Sequence, residues 1–168
     1  MIVILFIVIA GFMLVEGRRA AANEREQRAR GGVEPPDDAA VFATMRVAYP
    51  AAFLVMLAEG ALRERPGPDV LVIGAAVYVA AKALKWWAIL ELGPFWTFRV
   101  IVIPGARLVR SGPYRYMRHP NYVGVFGELA GTALLTGALV TGPIATLLFT
   151  TLMLRRSAVE HRALNAAR

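Results

Sequence analysis

Charge-free and charge-rich stretches alternate along this chain at a spacing that predicts helices long enough to cross a bilayer. Met1–Val15 carries no charge, Val41–Leu62 carries only Arg46 and Glu59, and Val70–Leu92 carries Lys82, Lys85 and Glu91. Tyr122–Thr136, interrupted only by Glu128, and Gly142–Leu154 complete the apolar set. A span takes about 20 apolar residues, within a range of about 17–25. The second and third blocks reach that length directly. The first is short, and is expected to continue as helix through Glu16 and the arginines after it. The last two read as a tight helical hairpin turning at Gly142-Pro143. The expectation is an all-α, polytopic membrane bundle of about five transmembrane helices, with four as the fallback.

The polar stretches organise the rest. Asn23–Arg30 is helix-compatible until Gly31-Gly32 stops the pattern. Pro35-Pro36-Asp37-Asp38 then makes a turn before the second span. Arg63–Asp69, with Pro66-Gly67-Pro68, is a short external connection. No internal repeat, low-complexity tract or second domain is visible, so residues 1–168 form one domain. Three spans lie in 1–92, with a charged inner loop over 16–40. The segment 93–168 holds a long loop, the hairpin and a C-terminal helix. Connections have a median of about 4–6 residues, and long ones are usually functional or disordered. Gly93–Asn121 is too rich in Phe95, Trp96, Phe98, Val100, Ile101, Val102 and Ile103 for disorder. With turns at Pro104-Gly105 and Gly112-Pro113, it is expected to be an ordered loop packed against the inner face of the bundle.

Composition sharpens this picture. The chain is 57% hydrophobic, against roughly 45–50% in average globular proteins, and its mean hydropathy is +0.52. Met1–Val15 lacks a basic start and a small-residue cleavage motif, which suits a retained anchor. The absence of cysteine excludes disulfides, zinc-thiolate sites and thiol nucleophiles. Two histidines without cysteine make no metal cluster. The net charge of +7 could suggest nucleic acid, but topology explains it better. With the N-terminus outside, and Lys82 and Lys85 counted near the inner end of the third span, all lysines and arginines except Arg63 and Arg65 fall inside. A nucleic-acid partner is therefore not expected.

The chemistry-bearing residues cluster late in the chain. In Ser111–Gly124, Pro120 suits the first position of the fourth helix, which leaves His119 at its cap. A helix N-terminus attracts an anionic ligand group, and Arg115 and Arg118 add to that field. The competing interpretation is an interfacial loop with tyrosines in the aromatic belt and arginines facing lipid phosphates. Arg156 and Glu160 are four apart on one helix face. They read either as a solvated ion pair worth roughly 0.3–0.5 kcal/mol or as a pair facing the His119 loop. Glu128 is an ionisable group inside a span, by default a functional hypothesis, with a hydrogen-bonded packing role as the alternative. Gly127 and Gly131 read as close helix packing, Trp86-Trp87 as belt or core, and Glu59 and Glu91 as helix-end residues that reach water.

The string Leu108-Val109-x-Ser111-Gly112-Pro113-Tyr114-x-Tyr116-x-Arg118-His119-Pro120-Asn121-Tyr122-Val123-Gly124, followed by Arg156-x-x-x-Glu160, resembles the isoprenylcysteine carboxyl methyltransferase family. The phospholipid methyltransferases look similar over the same region. The resemblance is strong over about Arg99–Arg168 and loose before it. It implies an integral membrane enzyme that uses S-adenosylmethionine in a cytosolic pocket, with a lipophilic substrate entering sideways from the bilayer. Carried over, the cofactor contacts would be Arg107, Leu108, Val109, Tyr114, His119, Pro120, Asn121, Tyr122 and Glu160, with Arg156 on the substrate side. Where eukaryotic members have a His before the Leu-Val pair, this chain has Ala106-Arg107. Their acidic run near the last contact is reduced here to Glu160-His161. The loop Trp96–Gly105 looks closer to small bacterial members, some of which resemble tailoring enzymes for polyketide lipids.

A carboxylate acceptor needs no base, whereas an enolic or phenolic hydroxyl or an amine benefits from one. His119, Glu128 and Tyr122 are the candidates, and the catalytic set is expected among Arg156, Glu128 and His119. The resulting expectation is O-methyl transfer to a prenylcysteine-like or polyketide-lipid acceptor. The alternatives are a phospholipid or amine N-methyltransferase, a membrane reductase using a nicotinamide cofactor, and a non-catalytic protein that binds lipid or a partner. The implied location is a bacterial inner membrane, with the cofactor loop and C-terminus cytoplasmic.

Overall fold

The computed structural model describes residues 1–106 and 108–166, the side chains of 164–166 excepted. Among them run five helices: α1 (Ile2–Ala29), α2 (Asp38–Ala61), α3 (Pro68–Leu92), α4 (Pro120–Thr136) and α5 (Thr141–Ala166). Short 3-10 turns at Gly93–Phe95 and Gly112–Arg115 punctuate the crossover between α3 and α4. No strand forms among the described residues; Val33 and Val102 make an isolated antiparallel bridge. Two stretches, Asp38–Ala61 and Pro68–Phe95, are long and apolar enough to cross a membrane. In α1 the apolar run ends at Val15, with Glu16, Arg18 and Arg19 in the next turn. At 17 residues, α4 is short. Val3, Ile7, Val72, Val79 and Leu147 stand exposed on the outside of the bundle, a surface that suits lipid better than water.

Local chemistry explains where the helices begin and end. Unbroken through Glu16, α1 stops just before Gly31, whose φ of 80° is a left-handed conformation. Pro68 and Pro120 each open a helix, where a missing N–H removes nothing. The turn between α4 and α5 corrects the sequence reading. The chain reverses at Gly137–Val140, where Gly137 closes α4 at φ 68°. Gly142 and Pro143 instead lie in the first turn of α5, a position that tolerates proline. Glu59 enforces this turn and does more than reach water. Its carboxylate accepts hydrogen bonds from Val140 N (3.2 Å), Thr141 N (2.8 Å) and Thr141 Oγ1 (2.6 Å), satisfying donors that the start of α5 leaves open.

Small residues set the closest helix pair. A Cβ added at Gly124 would come within 2.8 Å of Lys85 Cβ, one at Gly127 within 2.6 Å of Ala81 Cβ, and one at Gly131 within 2.7 Å of Tyr78 N. These three glycines bring α4 onto α3 at near-backbone distance, the close helix packing expected of Gly127 and Gly131. Around that seam, Met45, Phe53, Met56, Tyr78, Leu129 and Phe149 fill the core.

A buried charge cluster crosses the middle of the bundle. Lys82 Nζ lies 3.1 Å from Glu16 Oε1 and 2.7 Å from Glu128 Oε1. Lys85 Nζ lies 2.7 Å from Glu16 Oε2 and 3.3 Å from Glu128 Oε2. The Tyr49 hydroxyl donates to Glu128 Oε2 and accepts from Lys85 Nζ at 3.2 Å. Four helices thus meet at one polar knot. The two lysines, counted above with the inner-face cations, are buried and paired within the bundle, and Glu16 belongs to the core and not to the charged loop.

Candidate functional site

One end of the bundle gathers the C-terminal ends of α1, α3 and α5 with the starts of α2 and α4. The crossover after α3 is fastened there by the N-terminal helices. Asn23 Nδ2 donates to Gly93 O (3.0 Å) and Trp96 O (2.7 Å), and Gln27 Nε2 donates to Pro94 O (3.0 Å). Val100 N donates to Asp38 Oδ2 at 2.7 Å, and Val33 and Val102 exchange backbone bonds of 2.9 Å. Glu34 takes Arg28 and Arg99, each at 2.5 Å. Partial burial raises the Glu34 pKa, but these two guanidinium partners outweigh it and hold the carboxyl below its ordinary range. Trp96 and Val100 are buried as a result.

The fastened crossover delivers its last residues to α4 and α5. His119 caps α4 and stacks on Tyr122, with ring centroids 4.9 Å apart and planes 8° from parallel. From α5, Ser157 Oγ lies 2.9 Å from His119 Nε2, while Glu160 Oε2 lies 4.0 Å from His119 Nδ1. Trp96 Nε1 donates to Asn121 Oδ1 at 3.4 Å. Arg162 pairs with Asp37 at 3.3 Å, tying the end of α5 to the start of α2. Burial, and secondarily the Glu160 carboxylate, push the Tyr114 phenol above its ordinary pKa, so it stays a neutral donor. Arg156 and Glu160 lie close enough for their charges to act on the Tyr122 hydroxyl.

His119, Tyr122, Tyr114, Arg156 and Glu160 therefore converge, with Pro120 and Asn121 on the same helical turn. Arg156 and Glu160 do not form the solvated pair that their spacing allowed. No ion pair joins them among the described residues, and Arg156 Nε is buried without a hydrogen-bond partner. Arg115 and Arg118 are exposed. Leu108 is exposed and Val109 half-buried, and no hydrogen bond among the described residues ties either to the cluster. Arg107 lies outside the described residues. Glu128, a candidate base by sequence, sits elsewhere. It is nine residues into α4 from His119, about 13 Å at 1.5 Å per residue; its Oε2 accepts from Tyr49 and Lys85, and its Oε1 lies 2.7 Å from Lys82 Nζ but accepts no hydrogen bond. Its burial between two lysines, away from the start of α4, fits the packing role.

Sequence reasoning missed Ser157, Asn23, Trp96 and Asp38. For Ser157 a signal existed, because it lies three residues before Glu160 and shares its helix face. Asn23 sits among charged residues in a helical run, and nothing in that pattern marks it. The family model for isoprenylcysteine carboxyl methyltransferases matches residues 72–166. Protein YpbQ of Bacillus subtilis (strain 168), described as uncharacterized, is 31% identical over 146 residues, 86% of this chain and 85% of its own. An uncharacterized protein of Haemophilus influenzae is 25% identical over 122 residues, 72% of this chain and 71% of its own. No solved structure matches. On the strength of the family match and the Bacillus relative, this chain belongs to the isoprenylcysteine carboxyl methyltransferase family.

Proposed function

We propose that this chain moves a methyl group from S-adenosylmethionine to an oxygen of a lipophilic acceptor lying in the bilayer. Family membership carries the coarser statement, since the family consists of membrane methyltransferases that use S-adenosylmethionine. The observation that favours the start of α4 as the site is the convergence of Tyr114, His119, Tyr122, Arg156 and Glu160 from separate segments. Those residues fit such a ligand. Arg156 presents a buried, unpartnered N–H, Tyr114 a neutral donor, Glu160 an acceptor, and Tyr122 an aromatic ring in a stack. Glu160, Tyr114 and Tyr122 suit the cofactor's ammonium group, hydroxyls and flat ring, and Arg156 suits an anionic acceptor.

When bound, S-adenosylmethionine supplies a methyl group activated by its sulfonium leaving group. The chain's own contribution is alignment, which can account for about 7–11 kcal/mol of a barrier. Leu108, Val109, Tyr114, Pro120, Asn121, Tyr122 and Glu160 would hold the cofactor, with the start of α4 favouring an anionic group. Arg156 clamps the acceptor through a charge-assisted hydrogen bond. For a carboxylate acceptor that clamp suffices, because a carboxylate nucleophile needs no base. In this reading residues 1–168 form one catalytic unit whose five helices all span the bacterial inner membrane. The N-terminus lies outside, the crossover and C-terminus are cytoplasmic, and the acceptor enters laterally.

Purified chain incubated with methyl-labelled S-adenosylmethionine and a membrane lipid extract tests this. The expected product is a labelled lipid ester or ether, and thermal stabilisation by S-adenosylmethionine in detergent should accompany it. Label on nitrogen would replace the oxygen acceptor with an amine. Stabilisation by NADPH, or by neither compound, would overturn the cofactor.

A further inference from the structure

Ser157 behaves unlike the threonines in the middle of α5. Thr146, Thr150 and Thr151 each hydrogen-bond a carbonyl four residues back in their own helix, at 2.8, 2.7 and 3.0 Å. Ser157 instead reaches across to α4 and meets His119 Nε2 at 2.9 Å. Glu160, one turn further along, faces the opposite ring nitrogen, Nδ1, at 4.0 Å. Tyr122 covers one face of the ring. The imidazole is thus hydrogen-bonded at Nε2 from α5, faced by a carboxylate on its Nδ1 side, and covered on one face from α4.

A neutral imidazole has one donor nitrogen and one acceptor nitrogen. A carboxylate accepts only, so its side of the ring favours the N–H, and the nitrogen opposite becomes the acceptor. We propose that Ser157 is a positioning residue: its hydroxyl donates to His119 Nε2, holds the ring in the Nδ1–H tautomer, and latches α5 across the start of α4. In that state the ring's lone pair is already occupied, and His119 orients the site without serving as an open base. Beyond the latch, the Arg162–Asp37 pair pins the next turn of α5 to α2. The meaning of the latch rests on the methyltransferase reading, but its geometry does not.

With two histidines in the chain, replacing His161 with Gln leaves a single imidazole to observe. The full chain is labelled with 15N-histidine in detergent micelles, at a pH where the ring is neutral. The couplings of each ring nitrogen to the carbon-bound protons then identify the tautomer. We expect the Nδ1–H form. Ser157→Ala should shift the ring to a mixture of tautomers, and Ser157→Thr should restore the single form. A dominant Nε2–H form in the chain with Ser157 intact, or an unchanged tautomer in Ser157→Ala, overturns the latch. Should Ser157→Ala fail to fold, the parent spectrum and Ser157→Thr still decide. A preserved Nδ1–H form with no methylated lipid would strike the methyltransferase reading alone.

Discussion

The bundle contains two polar regions, and they differ in how completely their groups are matched. In the middle, two lysines and two glutamates from α1, α3 and α4 face each other within 3.3 Å, with Tyr49 closing the ring from α2. At the end, His119, Arg156, Glu160 and Tyr114 lie close together, yet Arg156 keeps a buried N–H without a partner and Glu160 remains partly exposed. Burying an ion is expensive unless its partners and hydrogen bonds surround it. In the middle region every charge has a counter-charge within 3.3 Å, which ties α1, α3 and α4 together, although Glu128 Oε1 accepts no hydrogen bond. The end region leaves bonding capacity open, which is what a site for a polar ligand requires. Both regions include residues flagged by sequence as candidate catalytic groups, and only the pairing separates them.

Substitutions can break that contrast, starting with the largest effect. Lys85→Met leaves Glu16 and Glu128 short of a partner, and should destabilise the chain by about 3–5 kcal/mol, the range for halving a buried ion pair. Unfolding in detergent measures this; a loss below about 1 kcal/mol would mean the knot is not a closed structural unit. Arg156→Ala should lower turnover by about 10- to 100-fold, the effect of losing one charge-assisted hydrogen bond of about 1.5–3 kcal/mol. Cofactor affinity should survive, and its loss by calorimetry would exchange the roles assigned to Arg156 and Glu160. Glu160→Gln should weaken S-adenosylmethionine binding roughly tenfold, about 1.4 kcal/mol, with the melting temperature of the free chain unmoved. Unchanged affinity would remove Glu160 from the site.

The smallest effect concerns the strap that holds the crossover. Because the Glu34 pKa is lowered on folding, its pairing supports the fold above the ordinary glutamate value of about 4.3. That support is lost as pH falls through the lower folded value. Glu34→Gln should therefore flatten the acid limb of the stability profile by about 0.2–1 kcal/mol, the scale of exposed ion pairs. An acid limb identical to that of the parent would show that Asn23, Gln27, Asp38 and the Val33–Val102 bridge hold the crossover without Glu34.

Much of this molecule was readable in its residue order. Apolar block lengths placed five helices, Pro120 and His119 marked the start of α4, and the spacing of Gly127 and Gly131 announced a close helix contact whose partner, α3, only the structure named. These signals are local, because caps, breakers and helical periodicity act within a few residues. The family string also resided in the order of residues, and with it the expectation of a methyl donor. What only the tertiary structure decided was partnership. Lys82 and Lys85 could face the cytoplasm or a carboxylate, Glu128 could be a base or a brace, and Arg156 could pair with Glu160 or stand free. The pairings that formed join residues 38–125 positions apart: Glu16 with the lysines, Tyr49 with Glu128, His119 with Ser157, Asp37 with Arg162. A charged side chain carries no record of its distant partner, and only close packing in a medium of low dielectric makes one pairing far better than the rest.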